Sequence, residues 1–93
     1  MAVYVDNLRD YGWRHGASCH LSADSVEELI AFAVGMGMRE EWFQPKSSPH
    51  FDLHADGRAL AIERGAIELT QREFVAKLRE VRTKDRITLK LEI

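Results

Sequence analysis

The sequence predicts a single small α/β or α+β domain, in which one sheet of about five strands carries three helices packed mainly on one face. Short apolar runs typical of strands alternate along the chain with segments whose apolar residues recur at helical spacing. No internal repeat or linker divides the 93 residues, so one domain is expected over residues 1–93. A chain of this length has a small core, and we expect any site in a shallow cleft or between subunits.

The strands are predicted from two kinds of pattern. Residues 2–5 form an almost wholly apolar run, typical of a strand buried on both faces. Residues 87–93 alternate strictly between aliphatic and polar side chains, which predicts a strand with one solvated face. The five predicted strands cover residues 2–5, 17–21, 38–43, 66–69 and 87–93, and residues 50–53 form a further short extended piece.

The first and clearest helix is predicted from its cap and its apolar stripe. Asp24 or Ser25 can cap it, since glutamates follow three residues later. From Val26, apolar residues fall at i, i+3, i+4, i+7 and i+8, which places one stripe against a core. Gly35 and Gly37 supply its end, because glycine adopts the left-handed conformation that stops a helix.

Two further helices are predicted in the second half of the chain. A short one begins with Asp56 as its cap and ends at Gly65. The last one opens with a second capping box, formed by Thr70 and Glu73, and ends near Arg82.

Composition narrows the classes of function. Cys19 is the only cysteine, so no intramolecular disulfide can form. No apolar run approaches the roughly 20 residues of a membrane span, and the N-terminus lacks the pattern of a signal peptide, so a cytoplasmic protein is expected. Residues 1–56 carry 9 acidic and 4 basic side chains, and residues 57–93 carry 9 basic and 6 acidic ones. This basic excess is too small to favour nucleic-acid binding.

Polar residues at otherwise apolar positions are the candidates for chemistry, because no strong catalytic signature is present. Asp6 directly follows a strand, His20 lies inside one, and His50 and Asp52 share a face if their segment is extended. We predict these four as catalytic residues, with His20, His50 and Asp52 as ligands of a divalent metal. Arg58, at the start of a short helix, is the predicted anion-binding residue.

These groups would serve metal-assisted hydrolysis of a phosphate ester or nucleotide, with a small phosphorylated molecule as ligand. The alternative is structural: Asp6 and Asp52 cap loops, and His20 is a hydrogen-bonded core residue. The domain would then be a non-catalytic interaction module. Trp13, Trp42 and Phe43 could stack on a ring, although such aromatics more often belong to a core or an interface.

A weak association with nucleic acid is the third hypothesis, and an ordinary solvated, salt-bridged helix face is the preferred explanation of the same residues. The basic side chains concerned are Arg72, Lys77, Arg79, Arg82, Lys84 and Arg86.

A homodimer is expected from the C-terminal strand. Ile87, Leu89, Leu91 and Ile93 form an aliphatic row at the end of the chain, where a strand easily becomes a sheet edge. Pairing of two such edges, or exchange of the strand, would enlarge a small core. Pairing of the strand within its own sheet is the open alternative.

Several short motifs resemble one protein family. They are Val3–Asp6, Cys19–His20, Trp42–Gln44, Pro49–Asp52 and Gly65–Ala66, in this order. The sequence resembles, over about residues 2–82, the small family of bacteria and their phages designated domain of unknown function four thousand and thirty-one. The resemblance implies a small stand-alone domain and no known activity.

The resemblance also bears on the candidate site. The family motifs include residues of the Asp6, His20, His50 and Asp52 types, and usually a tyrosine where this chain has Phe51. A role for a phenol at that position is therefore in doubt in this chain.

Overall fold

The computed structural model describes residues 2–10, 12, 16–45 and 49–80. Several predictions lie outside these residues: the C-terminal strand at 87–93, the roles of Trp13, Arg82, Lys84 and Arg86, and the end of the last helix.

A four-stranded sheet and three α-helices make up the described part of the chain, which confirms the predicted class. The elements in chain order are β1 Val3–Val5, β2 Ser18–Ala23, α1 Val26–Gly35, a 3-10 helix at Glu40–Trp42, β3 Phe51–His54, α2 Ala55–Glu63, β4 Ile67–Glu68 and α3 at residues 71–80. The strand order is β3-β2-β1-β4. β2 is antiparallel to both β1 and β3, and β4 is parallel to β1.

The main core lies between one face of the sheet and helices α1 and α2. Val5, Leu21 and Phe51 lie side by side on β1, β2 and β3, and each is fully buried. Leu29 and Ala33 of α1 pack against them in the same cluster. These positions follow the period of two in the strands and the spacing of i and i+4 in the helix, as the sequence pattern predicts.

The opposite face of the sheet is covered in part by α3. Phe74 of α3 is buried, and its ring centroid lies 6.2 Å from that of His20, which alternates with Leu21 on β2. The Lys77 ammonium lies 5.4 Å from the centroid of the Tyr4 ring on β1. Helices α1 and α2 therefore lie on one face of the sheet, and α3 lies on the other. The candidate site is on the face of α3, which covers it in part.

Of the two residues predicted as possible N-caps of α1, Ser25 is the cap and Asp24 has another role. Ser25 caps α1, because its Oγ accepts a hydrogen bond from the Glu28 amide at 3.2 Å. Asp24 instead accepts from the Ala2 amide and the Tyr4 hydroxyl, at 2.9 and 2.8 Å, and so ties α1 to β1. Gly37, with φ of +93°, makes the left-handed turn after the helix.

The other predicted capping box is also present. Thr70 Oγ1 accepts from the Glu73 amide, and the Glu73 carboxylate accepts from the Thr70 amide, so α3 starts where the sequence predicts.

Three local predictions are wrong. The predicted strand at 38–43 contains the 3-10 helix Glu40–Trp42 instead; Phe43 packs on Phe51 with ring centroids 5.7 Å apart, so its apolar character reflects core contact. Gly35 is the last residue of α1 but has no positive φ, so of the two predicted glycines only Gly37 supplies the left-handed stop. The N-cap of α2 is His54 rather than Asp56, because α2 follows β3 without a connecting loop.

Within the described residues, no helix is both long enough and apolar enough to cross a membrane.

Candidate functional site

A row of polar residues crosses three strands on the face that carries α3. His20 of β2 lies directly opposite Asp52 of β3, and Val5 of β1 lies opposite Leu21. Asp6 follows β1 and therefore comes beside His20 on its other side, where its amide donates to the His20 carbonyl at 3.4 Å. The antiparallel registers thus bring together residues that are far apart in the sequence.

Asp6 holds His20 from the side of β1. The Asp6 residue is 3% exposed, and its Oδ1 accepts the His20 amide at 2.6 Å. Its Oδ2 lies 2.9 Å from His20 Nδ1. Because a carboxylate only accepts, Nδ1 carries the proton in this contact, and the neutral ring then has its lone pair on Nε2. This arrangement fixes both the orientation and the tautomer of the imidazole.

The same contact sets the direction of the His20 pKa. The hydrogen bond to Asp6 is the main cause that raises this pKa above its ordinary value, and burial opposes it. The negative charges of Asp6 and Asp52 raise it further. His20 is therefore an electron-rich imidazole between two carboxylates.

His50 and Asp52 complete the cluster from β3 and the residue before it. Asp52 Oδ1 lies 3.5 Å from His50 Nε2 and 3.9 Å from His20 Nε2. The two imidazole rings meet edge to face, with centroids 5.2 Å apart. Residues 50 and 52 share a face as their spacing predicts, and the strand pairing adds His20 to them.

The donor atoms of this cluster, the His20–His50–Asp52 triad, fit a divalent metal ion. One ligand atom from each residue lies within 4.8 Å of the other two. Ligand atoms 2.0–2.1 Å from a tetrahedral ion lie about 3.3 Å from one another, so modest side-chain rotations would bring the three to bonding distance. Two imidazoles and one carboxylate suit zinc and the neighbouring transition metals better than magnesium or calcium. Asp6 stands behind His20 in the place of a supporting carboxylate.

Gln44 is a further residue of the site that the sequence analysis missed. Its Nε2 donates to Asp52 Oδ2 at 2.6 Å, and its backbone pairs with that of His50. Oδ1 of Asp52, the atom nearest to both histidines, lies on the other side of the carboxylate. Gln44 falls within the Trp42–Gln44 motif of the family resemblance, but no spacing or periodicity marks it as a site residue, because its contact with Asp52 depends on how the segment before β3 returns to the sheet.

Arg58 links three elements beneath the site. Its Nε donates to the Asp6 carbonyl at 2.9 Å, and its Nη2 lies 3.1 Å from Glu68 Oε1 on β4. These contacts hold the end of β1, and with it Asp6, in place. The anion-binding role of Arg58 stays a prediction.

A cleft of about 750 Å³ opens beside the triad. Asp52 and Gln44 form part of its wall, which also includes Trp42 from the 3-10 helix and Leu60 from α2. Trp42 is 52% exposed, whereas Phe43 is partly buried against the core. The predicted aromatic surface is therefore divided, and in the described part only Trp42 is presented to solvent at the cleft.

Cys19 and Phe51 lie on the opposite face of the sheet from the site. Cys19 is fully buried in the core, and burial raises the pKa of its thiol to about 12. Its side chain points away from that of His20, because adjacent residues of a strand point to opposite faces. Phe51 likewise points into the core, away from Asp52, so a hydroxyl on that ring would not reach the triad directly.

The basic side chains of α3 follow the ordinary pattern of a helix surface. Lys77 lies 3.5 Å from Glu80 and over the Tyr4 ring, with its pKa raised chiefly by the charge of Tyr4 and then by that of Glu80. These partners support the solvated, salt-bridged explanation for Lys77, and nucleic-acid binding stays a prediction.

Comparison with known proteins identifies the family of this chain. The model of the family described as "Protein of unknown function (DUF4031)" matches residues 3–81. No curated protein and no solved structure matches the chain.

Proposed function

The chain belongs to this family, for which no function is known, so we propose a function from the geometry of the site. The protein binds a divalent transition metal and hydrolyses a phosphate ester or nucleotide. The observation that carries the proposal is the triad itself: three donor atoms from two strands within 4.8 Å, with Asp6 fixing the ring of His20.

In the proposed roles, His20, His50 and Asp52 hold the ion, and Asp6 is a positioning residue that acts through His20. Three protein ligands leave a coordination position for water or substrate. The bound ion would polarise the phosphoryl oxygen and lower the pKa of a bound water to about 7. In the hydrolysis, the water oxygen would form the bond to phosphorus and give up a proton to solvent as the bond from phosphorus to the ester oxygen breaks, and the leaving alkoxide would take up a proton from solvent to become the alcohol.

The position of Asp52 supports this proposal over a purely structural role. An interaction module predicts that the polar residues bond inside the domain and line no cleft. Asp6 does bond to backbone, through the His20 amide, but Asp52 lines the cleft with its side chain 36% exposed. The side of the triad formed by Asp52 is therefore accessible to a small molecule.

Metal binding is tested with the purified protein after chelation. Titration with Zn²⁺ and Mn²⁺ in a calorimeter should give one site per chain, and His50→Ala or Asp52→Ala should weaken it at least about 100-fold by removing one of three ligands. His54→Ala is the matched control, because His54 lies on the same strand but outside the triad. Equal affinity of wild type and Asp52→Ala would show that the triad is not the metal site.

Hydrolysis is tested separately with bis(p-nitrophenyl) phosphate and p-nitrophenyl phosphate. Turnover should require the metal and should be lost in Asp52→Ala but kept in Glu63→Ala, because Glu63 is exposed at the end of α2, outside both the triad and the cleft. If the protein binds metal through the triad but hydrolyses neither ester, the proposed metal site is supported and the proposed reaction is contradicted.

The proposed homodimer is a separate property. Its strand lies outside the described residues, and its support remains the aliphatic row of residues 87–93. Light scattering should give twice the chain mass. A mass near 10.7 kDa at every concentration would contradict the dimer.

A further inference from the structure

The residues that line the cleft beside the triad favour a ligand with an aromatic ring. The lining of the cleft includes the apolar side chains of Met36 and Met38 after α1 and of Leu60 in α2. Trp42 stands at the cleft with 52% of its surface exposed. Because the Trp42 indole is half exposed to water, stacking a ligand ring on it removes further apolar surface from water and is favourable. Methionine sulfur also packs well against the edge of an aromatic ring. The volume of about 750 Å³ falls in the range of small-molecule sites.

The polar groups that line the cleft are mainly hydrogen-bond acceptors, which favours a ligand ring with N–H donors at its edge. Asp52 and Asp56 contribute two carboxylates, Gln44 contributes an amide, and His54 contributes an imidazole, so acceptors outnumber fixed positive charges. Among the described residues that line the cleft there is no lysine or arginine. A phosphate would therefore be disfavoured inside it, whereas N–H donors at the edge of a heteroaromatic ring would find acceptors.

Continuity with the triad relates the cleft to the reaction. Asp52 belongs to both, and Gln44 lines the cleft while donating to Asp52 at 2.6 Å. A ligand that fills the cleft therefore has one end beside the donor atoms that would hold the metal. In nucleotides the ring and the phosphate are separated by a sugar, so the two parts can occupy the two adjacent sites.

We infer that the cleft binds the base of a nucleotide, stacked on Trp42 with its N–H edge toward Asp56. The inference rests on the proposed function for the reaction at the phosphate and narrows its substrate class to nucleotides. Binding of the base itself requires only the cleft, so the two can fail independently.

The test uses the full chain in EDTA, with the indole N–H signals of 15N-labelled protein as the readout. The tryptophans number two, and Trp42→Phe assigns the signal of Trp42. GMP is the probe, because guanine presents two adjacent N–H donors to a carboxylate. Ribose 5-phosphate, which has the sugar and phosphate without the base, is the matched ligand. GMP should shift the Trp42 signal saturably, and ribose 5-phosphate should not.

Three variants distinguish stacking of the base on Trp42 from unspecific effects of a substitution on GMP binding. Trp42→Ala should weaken GMP binding at least about fivefold, the lower end for loss of one base–aromatic stack. Asp56→Asn should weaken it as well. Val34→Ala should leave it unchanged, since Val34 is 48% exposed on α1 and outside the cleft. Because Trp42, Asp56 and Val34 are all exposed, these variants should fold, which circular dichroism checks.

Each outcome decides one proposal. No shift of the Trp42 signal with GMP at about 10 mM, or an equal response to ribose 5-phosphate, overturns the base site even if the triad binds metal. A specific GMP response without any metal binding supports the cleft and rejects the metal-assisted reaction.

Discussion

Replacing Asp6 by asparagine should lower the free energy of unfolding of the metal-free protein by about 1.5–3 kcal/mol near pH 6, the usual contribution of a hydrogen bond to a charged group. Asp6 is 3% exposed and accepts from the His20 amide and from His20 Nδ1, at 2.6 and 2.9 Å. Asparagine keeps the shape and one acceptor, so little of the loss can come from packing. Its NH₂ group would face Nδ1 and favour the other tautomer of His20.

The pH dependence of this loss has a definite sign. The pKa of His20 is raised in the folded protein, chiefly by the hydrogen bond to Asp6. A raised histidine pKa contributes stability that is fully present below the unfolded value of about 6.5 and is lost as the pH rises through the folded pKa. The difference in stability between wild type and Asp6→Asn should therefore be largest near pH 6 and smaller at pH 9.

Guanidinium denaturation in EDTA at these two pH values measures the effect. Glu63→Gln serves as the control, because it removes one exposed carboxylate at the end of α2. Histidine titration by NMR should show the His20 pKa falling in Asp6→Asn. If the two variants unfold at the same midpoint, or if the difference does not shrink with pH, the proposed coupling of Asp6 to His20 is wrong. With the tautomer no longer fixed, metal affinity should also fall about 10–100-fold.

Three further predictions concern the fold. Ser25→Ala should cost about 1 kcal/mol in chemical denaturation, since it removes the cap of α1, while Ser25→Asp should retain most of the stability. The Cys19 thiol should stay unreactive toward a thiol reagent at pH 8 until the protein unfolds, because burial raises its pKa to about 12; rapid labelling of the native protein would contradict its place in the core. Phe51→Ala should cost about 3–5 kcal/mol and reduce the melting temperature far more than Val34→Ala on the exposed face of α1.

Local patterns in the sequence carry much of the fold. Capping residues and apolar periodicity predict α1, the start of α3 and the end of α2 near Gly65, because these signals act within a few residues. The segment at 38–43 shows the limit of this reasoning. Its apolar residues suggest a strand, but Trp42 faces the cleft and Phe43 faces Phe51, and that division depends on contacts with distant elements. A short apolar run does not distinguish these cases.

The candidate site was predictable to a similar degree. The spacing of His50 and Asp52 places them on one face, since residues i and i+2 of a strand point alike. Their meeting with His20 depends on the pairing of β2 with β3, across a separation of about 30 residues, and no local signal encodes that pairing. Gln44 could not be identified for the same reason.

The register of the sheet is therefore the physical link between the core and the site. Leu21 opposite Phe51 and Cys19 opposite Leu53 are buried pairs on one face, and they fix His20 opposite Asp52 on the other. A slip of one residue would turn every side chain of β3 to the other face, burying Asp52 and exposing Phe51. The cost of exposing the apolar row excludes that slip, so the hydrophobic core, rather than the contacts between the polar residues, determines which of them meet.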